Sequence, residues 1–202
     1  MRKVVLFMSI SLDGYIEGPG HDIGWHRVDD ELHRHLNREL APMGGFVSGR
    51  VTHELMAGFW PTADRDPACS APTAEFARIW REMPKTVFSR TLGHADWNAT
   101  VVREVTPATV GALTAAPGGD LALSGANLAA SFLRHDLIDE YHLYVHPVRL
   151  GRGTPLFPVT AGSDDLTLLE TRRFPNGVVL LRHAREAAGR RGAGQAAPGS
   201  NS

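Results

Sequence analysis

Asp120-Leu121-Ala122-Leu123-Ser124-Gly125-Ala126-Asn127-Leu128 sets the reading of this chain. The run up to Ser124 has the pattern of a buried strand, and the pattern turns helical from Ala126 to His135. A helix therefore starts directly after the strand. Gly125, at the junction, leaves room for a ligand to approach the main chain. The helix start adds amide donors and the positive end of the helix dipole. Such a junction suits a pyrophosphate; the alternative is a tight strand-to-helix turn without a ligand.

Two more junctions of this kind lie upstream. Ser48-Gly49-Arg50-Val51-Thr52 falls between a short strand at 44–48 and a helix expected over 51–57. Arg50 there offers a fork of donors to a phosphate, and Thr52 offers a hydroxyl or a helix cap. Phe88-Ser89-Arg90-Thr91 follows a strand at 85–89, with two hydroxyls bracketing an arginine, which suits a phosphomonoester. Each could equally be an exposed polar turn. All three follow strands, and in α/β sheets ligands bind beyond the carboxyl ends of the strands.

The remaining pattern completes an α/β alternation. Val4–Ile10 is a near-continuous apolar run, the mark of a strand buried on both faces. Residues 11–24 are a glycine-rich loop. Val28, Leu32, Leu36 and Leu40 make one helical stripe, with Asp29 and Asp30 at its positive end. A helix over 73–83, with Thr73 as its N-cap, precedes the strand at 85–89. A strand at 99–103 follows, and Pro107 opens a short helix. Residues 140–148 read as a long strand. Pro175-Asn176-Gly177 joins strands at 166–173 and 178–183 into an antiparallel hairpin. The expected architecture is a mostly parallel sheet with an antiparallel edge. Residues 1–186 form the expected domain, and 187–202, rich in Ala, Gly, Arg and Ser, an expected disordered tail.

Composition excludes several classes. The net charge of −1 gives no drive toward nucleic acid or an acidic membrane. No apolar run approaches the roughly 20 residues of a membrane helix. The first apolar run stops at Ser9 and is followed by Asp13 and Glu17, so it reads as a strand and the expected location is the cytoplasm. Cys69 is the single cysteine, without an adjacent activating group. There is no Rossmann fingerprint, phosphate loop or nucleophile elbow. The ten histidines offer pairs only, such as His142 with His146 and His33 with His35, so no metal site is expected.

Together the motifs resemble a family. They are residues 9–16 (SISLDGYI), 48–52 (SGRVT), 87–92 (VFSRTL), 123–127 (LSGAN) and 146–157 (HPVRLGRGTPLF). In this order they are similar to the reductase domain of bifunctional riboflavin-biosynthesis deaminase-reductases and its stand-alone bacterial relatives. The resemblance implies an α/β fold like that of dihydrofolate reductase, a three-layer αβα sandwich, and NADPH as cofactor. Ser48, Gly49, Arg50 and Thr52 would meet its phosphates from one side. Ser89, Arg90 and Thr91 would surround the 2′-phosphate. Ser124, Gly125, Ala126, Asn127 and Leu128 would hold the pyrophosphate, with Ile10 and Ser11 near the nicotinamide.

The loop from Asp13 to Trp25 would border the substrate, with Trp25 and Val145 as contacts. In dihydrofolate reductases a carboxylate follows a loop tryptophan by five residues. Here that places a buried acid at Asp30, with Asp13 as the other acidic candidate. The implied activity is hydride transfer to a small heterocycle of pterin or pyrimidine type, in a homodimer whose interface would use strand 140–148 or the final hairpin. The zinc-binding deaminase domain is absent, and no second basic cluster stands ready for a substrate phosphate. The alternatives are a nucleotide-binding dimer without catalysis and a metal-dependent hydrolase.

Overall fold

The computed structural model describes residues 1–157 and 165–186. The expected tail at 187–202 lies outside the described residues. In chain order the strands are β1 (Val4–Ser11), β2 (Tyr15–Glu17), β3 (Gly45–Gly49), β4 (Lys85–Phe88), β5 (Ala99–Val102), β6 (Leu121–Ser124), β7 (Glu140–His146), β8 (Thr154–Pro155), β9 (Leu166–Arg173) and β10 (Val179–Arg185). The helices are α1 (Asp30–Leu40), α2 (Arg50–Phe59), α3 (Ala71–Glu82), α4 (Pro107–Ala115) and α5 (Ala126–Leu133).

Eight of the described strands form one sheet in the order β5-β4-β3-β6-β1-β7-β10-β9. Every pair from β5 to β7 is parallel, and β10 runs antiparallel to both β7 and β9. The hairpin read at Pro175-Asn176-Gly177 is β9–β10, closed by a Gly177 N–H donating to Phe174 O (3.0 Å). Gly177 there has φ +88°, a conformation that glycine adopts without a Cβ clash.

The strands alternate their side chains between two helical layers. Leu6, Val47, Leu121, Leu123 and Tyr141 join one apolar core with Phe132 and Ala129 of α5 and Val110 of α4. On the other face Ala122 packs with Leu40 of α1, Phe76 and Trp80 of α3, and partly buried Met56 of α2. Helices thus cover both faces, and the central strands are buried on both sides.

The helix starts show where local chemistry overrode the sequence pattern. Asp29 Oδ1 accepts the Leu32 N–H (2.9 Å), so α1 begins at Asp30 and Val28 stays outside it, exposed. Thr73 does not cap α3: Ser70 Oγ accepts the Thr73 N–H (3.4 Å), and the helix starts at Ala71, with Pro72 in its first turn. Proline has no amide to lose there, which lets the helix begin earlier than its apolar stripe. Thr106 and Thr109 cap α4 reciprocally.

Strand β7 corrects a second expectation. It lies between β1 and β10, and six of its seven residues are buried. A central strand has no free edge, so it cannot pair edge to edge with a second copy. The final hairpin can, because β9 is an edge strand and exposes Leu166, Leu168 and Leu169.

Candidate active site

A cleft of about 730 Å³ opens at the carboxyl ends of β3, β4, β5 and β6. That volume lies in the usual range for small-molecule sites. Three of its walls are the junctions read from the sequence. Gly49, Arg50 and Thr52 line it after β3, and Ser89 and Arg90 after β4. Gly125, Ala126, Asn127 and Leu128 line it after β6.

Gly125 is the tightest point. Its φ is +94°, and a Cβ there would lie 2.8 Å from Thr52 Oγ1. Only glycine allows the β6–α5 turn to close against the start of α2. The Gly125 N–H donates to Met8 Sδ (3.3 Å), which ties the turn to β1.

The two helices that begin at the cleft differ from the rest. Side chains cap α1, α3 and α4. Among the described residues no side chain caps α2, which starts behind Gly49, or α5, which starts behind Gly125. Both present amide donors and a positive dipole end to the cleft, the arrangement that receives phosphate.

The charges in the cleft agree. Arg50, Arg90, Arg103 and Arg134 line it against two carboxylates, Glu17 and Glu104, in a chain whose net charge is −1. Arg50 rests on Glu54 (2.6 Å) in an exposed i,i+4 pair, which costs a few tenths of a kcal/mol to open. Arg90 is exposed and has no carboxylate partner among the described residues.

Arg103 is a residue the sequence did not single out. It leaves the end of β5 and donates through Nη1 to Ser89 O (3.1 Å) and Leu92 O (2.7 Å), holding the turn that carries Ser89 and Arg90. The Ser89 hydroxyl accepts the Leu92 N–H (3.0 Å) and braces the same turn from within. Only the pairing of β4 with β5 brings these residues together. A short ribbon, β2 with β8, borders the cleft through Ile16, Glu17 and Thr154. Gly153 makes the ribbon possible, because a Cβ there would collide with Glu17 O.

The other expected residues lie outside this lining. Ser48 and Ser124 face each other in register on β3 and β6, one residue behind the two glycines. Ile10 and Ser11 end β1, both buried. The Ser11 hydroxyl is already engaged, donating to Asp13 Oδ1 (2.7 Å) and accepting the Tyr15 N–H (2.9 Å). Thr91 is exposed beyond Arg90. Val145 packs at the edge of the main core.

Trp25 sits on the opposite face of the sheet's end, against His26 and His146, with ring centroids 4.3 and 5.5 Å away. His146 is fully buried on β7, next in register to Ser11. Burial, together with His26 and Arg27 nearby, pushes its imidazole down to about 4.

Neither acid stands as expected. Asp30 is exposed in the first turn of α1, 3.5 Å from Arg34. The helix buries the stripe containing Leu32 and Leu40, and Asp30 lies off that stripe. Asp13 is a clamp: the Ser11 hydroxyl donates to it, as do the Leu150 (3.1 Å) and Gly151 (2.7 Å) amides. Those bonds lower its carboxyl to about 2. In that state the carboxylate serves as an acceptor that ties the end of β1 to the 150–151 turn.

The site is thus an arginine-lined cleft with two helix starts that no side chain caps among the described residues, set in a mostly parallel α/β sandwich. The RibD C-terminal domain family matches residues 2–180, and the chain belongs to that family. It is 31% identical over 181 residues to the uncharacterised protein YyaP of Bacillus subtilis (strain 168), covering 89% of this chain and 93% of that one. Among solved structures it is similar to a protein assigned to riboflavin biosynthesis from Shewanella sp. PV-4. The TM-score there is 0.70 at 23% identity, covering 93% of this chain and all of the other. It is also similar to the deaminase/5-amino-6-(5-phosphoribosylamino)uracil reductase of Thermotoga maritima, with a TM-score of 0.61 at 14% identity. That match covers 91% of this chain and 56% of the Thermotoga protein. At these identities the structural likeness is one of fold, the dihydrofolate-reductase-like α/β sandwich.

Proposed function

We propose that this chain is an NADPH-dependent reductase that delivers a hydride to a small heterocycle of pterin or pyrimidine type. The observation that carries the reading is the convergence of two uncapped helix starts and four arginines on one cleft at the carboxyl ends of parallel strands. NADPH, when bound, would supply the hydride.

The chain's own residues would do the rest. The α5 amides behind Gly125 would receive the pyrophosphate, with Gly49 and Thr52 on the facing wall. Arg90, on the turn braced by Arg103, would meet the 2′-phosphate through a charge-assisted hydrogen bond. The buried ends of β1 and β7 would then border the reacting ring, and their burial would keep water away.

Titration with NADPH and NADH, followed by loss of nicotinamide absorbance in the presence of pterins and pyrimidines, tests this directly. Binding of NADPH over NADH, with turnover on at least one such ring, is the expected result. Absence of affinity for either nucleotide removes the reading. Binding without turnover on any heterocycle would favour a nucleotide-binding dimer without catalysis.

A further inference from the structure

The cluster at the end of β7 contains a polar atom that the fold leaves unused. His146 is 0% exposed, and its Nδ1 accepts the Arg27 main-chain N–H at 3.0 Å. An amide N–H can only donate, so Nδ1 holds the lone pair and the neutral ring carries its proton on Nε2. That Nε2 is buried and has no hydrogen-bond partner among the described residues, and the same holds for His26 Nε2. The two imidazoles stack, with centroids 5.2 Å apart and planes 21° apart, while Trp25 stands edge-on to both. The nearest strand neighbour, Ser11, has its hydroxyl committed to Asp13 and Tyr15.

Leaving a buried donor unpaired is a cost that native structures rarely carry without a reason. The tautomer is fixed by the main chain and the ring is surrounded by aromatic faces. A planar ring bearing an acceptor oxygen or nitrogen would match such a group, by stacking and by one hydrogen bond. We propose that His146 Nε2–H is a substrate-positioning donor, directed to a ring carbonyl or imine nitrogen of the heterocycle, with Trp25 and His26 as the aromatic cover over it.

This rests on the reductase reading and names the group that orients its substrate. Entry requires Trp25 and His26 to swing aside while Arg27 keeps its bond to Nδ1. The segment carries two local bonds, Trp25 Nε1–H to Asp22 O (3.1 Å) and His26 N–H to Ile23 O (3.1 Å), and the first must open. Its exposed residues Asp22, Ile23 and Gly24 follow Gly20 and His21, both at positive φ, and Asn176 Nδ2 holds Arg27 O (2.8 Å) at the fixed end.

Histidine-labelled protein observed by nitrogen-15 NMR tests the assignment, with pterin and uracil as probes. The His146 signals are identified by their loss in His146→Gln. The free protein should show His146 protonated at Nε2 and unprotonated at Nδ1, and the Nε2 proton should move downfield as either probe is added. Affinity for the responding probe should fall about tenfold in His146→Phe, the loss of one hydrogen bond, and less in His146→Gln, which keeps an N–H donor. NADPH affinity should stay unchanged in both variants.

An Nε2 resonance unmoved by either ring at millimolar concentration overturns the proposal, as does undiminished probe binding in His146→Phe. If His146→Phe does not fold, the NMR titration and the Gln variant still decide. Failure of the wild-type chain to bind NADPH would instead strike the reductase reading, and the probe titration would still score this one.

Discussion

Gly125 carries two constraints at once, a φ of +94° and a Thr52 hydroxyl where a side chain would go. Gly125→Ala should therefore destabilise the fold by about 1–3 kcal/mol and weaken NADPH binding together, read by denaturant unfolding and a nucleotide titration. An unchanged unfolding midpoint would show that the turn relaxes freely. The glycine was visible in the sequence, because the strand-to-helix pattern on either side needed a residue without a Cβ. Arg103 was not, since its role comes from carbonyls 11 and 14 residues away that meet it only when β4 and β5 pair. Arg90→Ala should lower the preference for NADPH over NADH about tenfold. Arg103→Lys should lower it too, because a lysine keeps the charge and loses the fork that holds Ser89 O and Leu92 O. A ratio of dissociation constants left unchanged in both variants would remove the 2′-phosphate from this turn. His146 makes a separate prediction about acid stability. Its pKa is lowered from 6.5 to about 4 in the folded chain, so between those values the unfolded chain binds more protons. Stability should fall as the pH drops through that window, by on the order of 3 kcal/mol from this group. His146→Gln should flatten that part of the unfolding curve, and a slope identical to wild type would assign the effect to other groups.

At the scale of elements, the contrast between capped and uncapped helices divides structure from function. The caps of α1, α3 and α4 are local side chains, and the sequence pattern found the helices but placed the start of α1 two residues early and that of α3 two residues late. Helix boundaries depend on which of several oxygens takes the first amides, and Ser70 outcompetes Thr73 only because Pro72 can occupy the first turn. For α2 and α5 the strand-to-helix patterns were legible, and so was the chance that their amides serve a ligand. The ribbon β2–β8 was not, being three residues paired with two from far along the chain. An acidic side chain in the first turn of α5 distinguishes a ligand site from a bare helix start. Asn127→Asp complements the dipole and should stabilise the free protein by about 0.3–1 kcal/mol. The same carboxylate would repel a pyrophosphate, so NADPH affinity should fall about tenfold while the melting temperature rises. Equal NADPH binding in the two proteins would mean that α5 does not face the phosphates.

For the whole molecule, the parallel order and the antiparallel end were readable because each strand announced its own burial: continuous apolar runs for β1 and β6, and a turn signal between β9 and β10. Which strand would be central and which an edge was not, since neighbour relations across a sheet leave no local mark. That difference decides how two copies can meet. β7, read as a candidate interface, is enclosed by β1 and β10, whereas β9 ends the sheet, its eight residues unpaired on the outer edge among the described residues. Its exposed Leu166, Leu168 and Leu169 form an apolar stretch that an isolated monomer would leave in water. If the chain is a homodimer, β9 against β9 of a second copy pairs two identical edges about a two-fold axis and covers both sets of leucines. A stable interface of this kind covers about 800 Å² per partner, so it must draw in more than the edge itself, and neighbouring β10 continues the surface. Leu168→Lys with Leu169→Lys should then give a folded monomer by analytical ultracentrifugation, with the wild type sedimenting as a dimer at the same concentration. The cleft lies at the far strands β3 to β6, so the monomer should keep its NADPH affinity. A double variant that still sediments as a dimer would move the contact away from β9. A monomer that no longer binds nucleotide would mean that the second copy helps to shape the site.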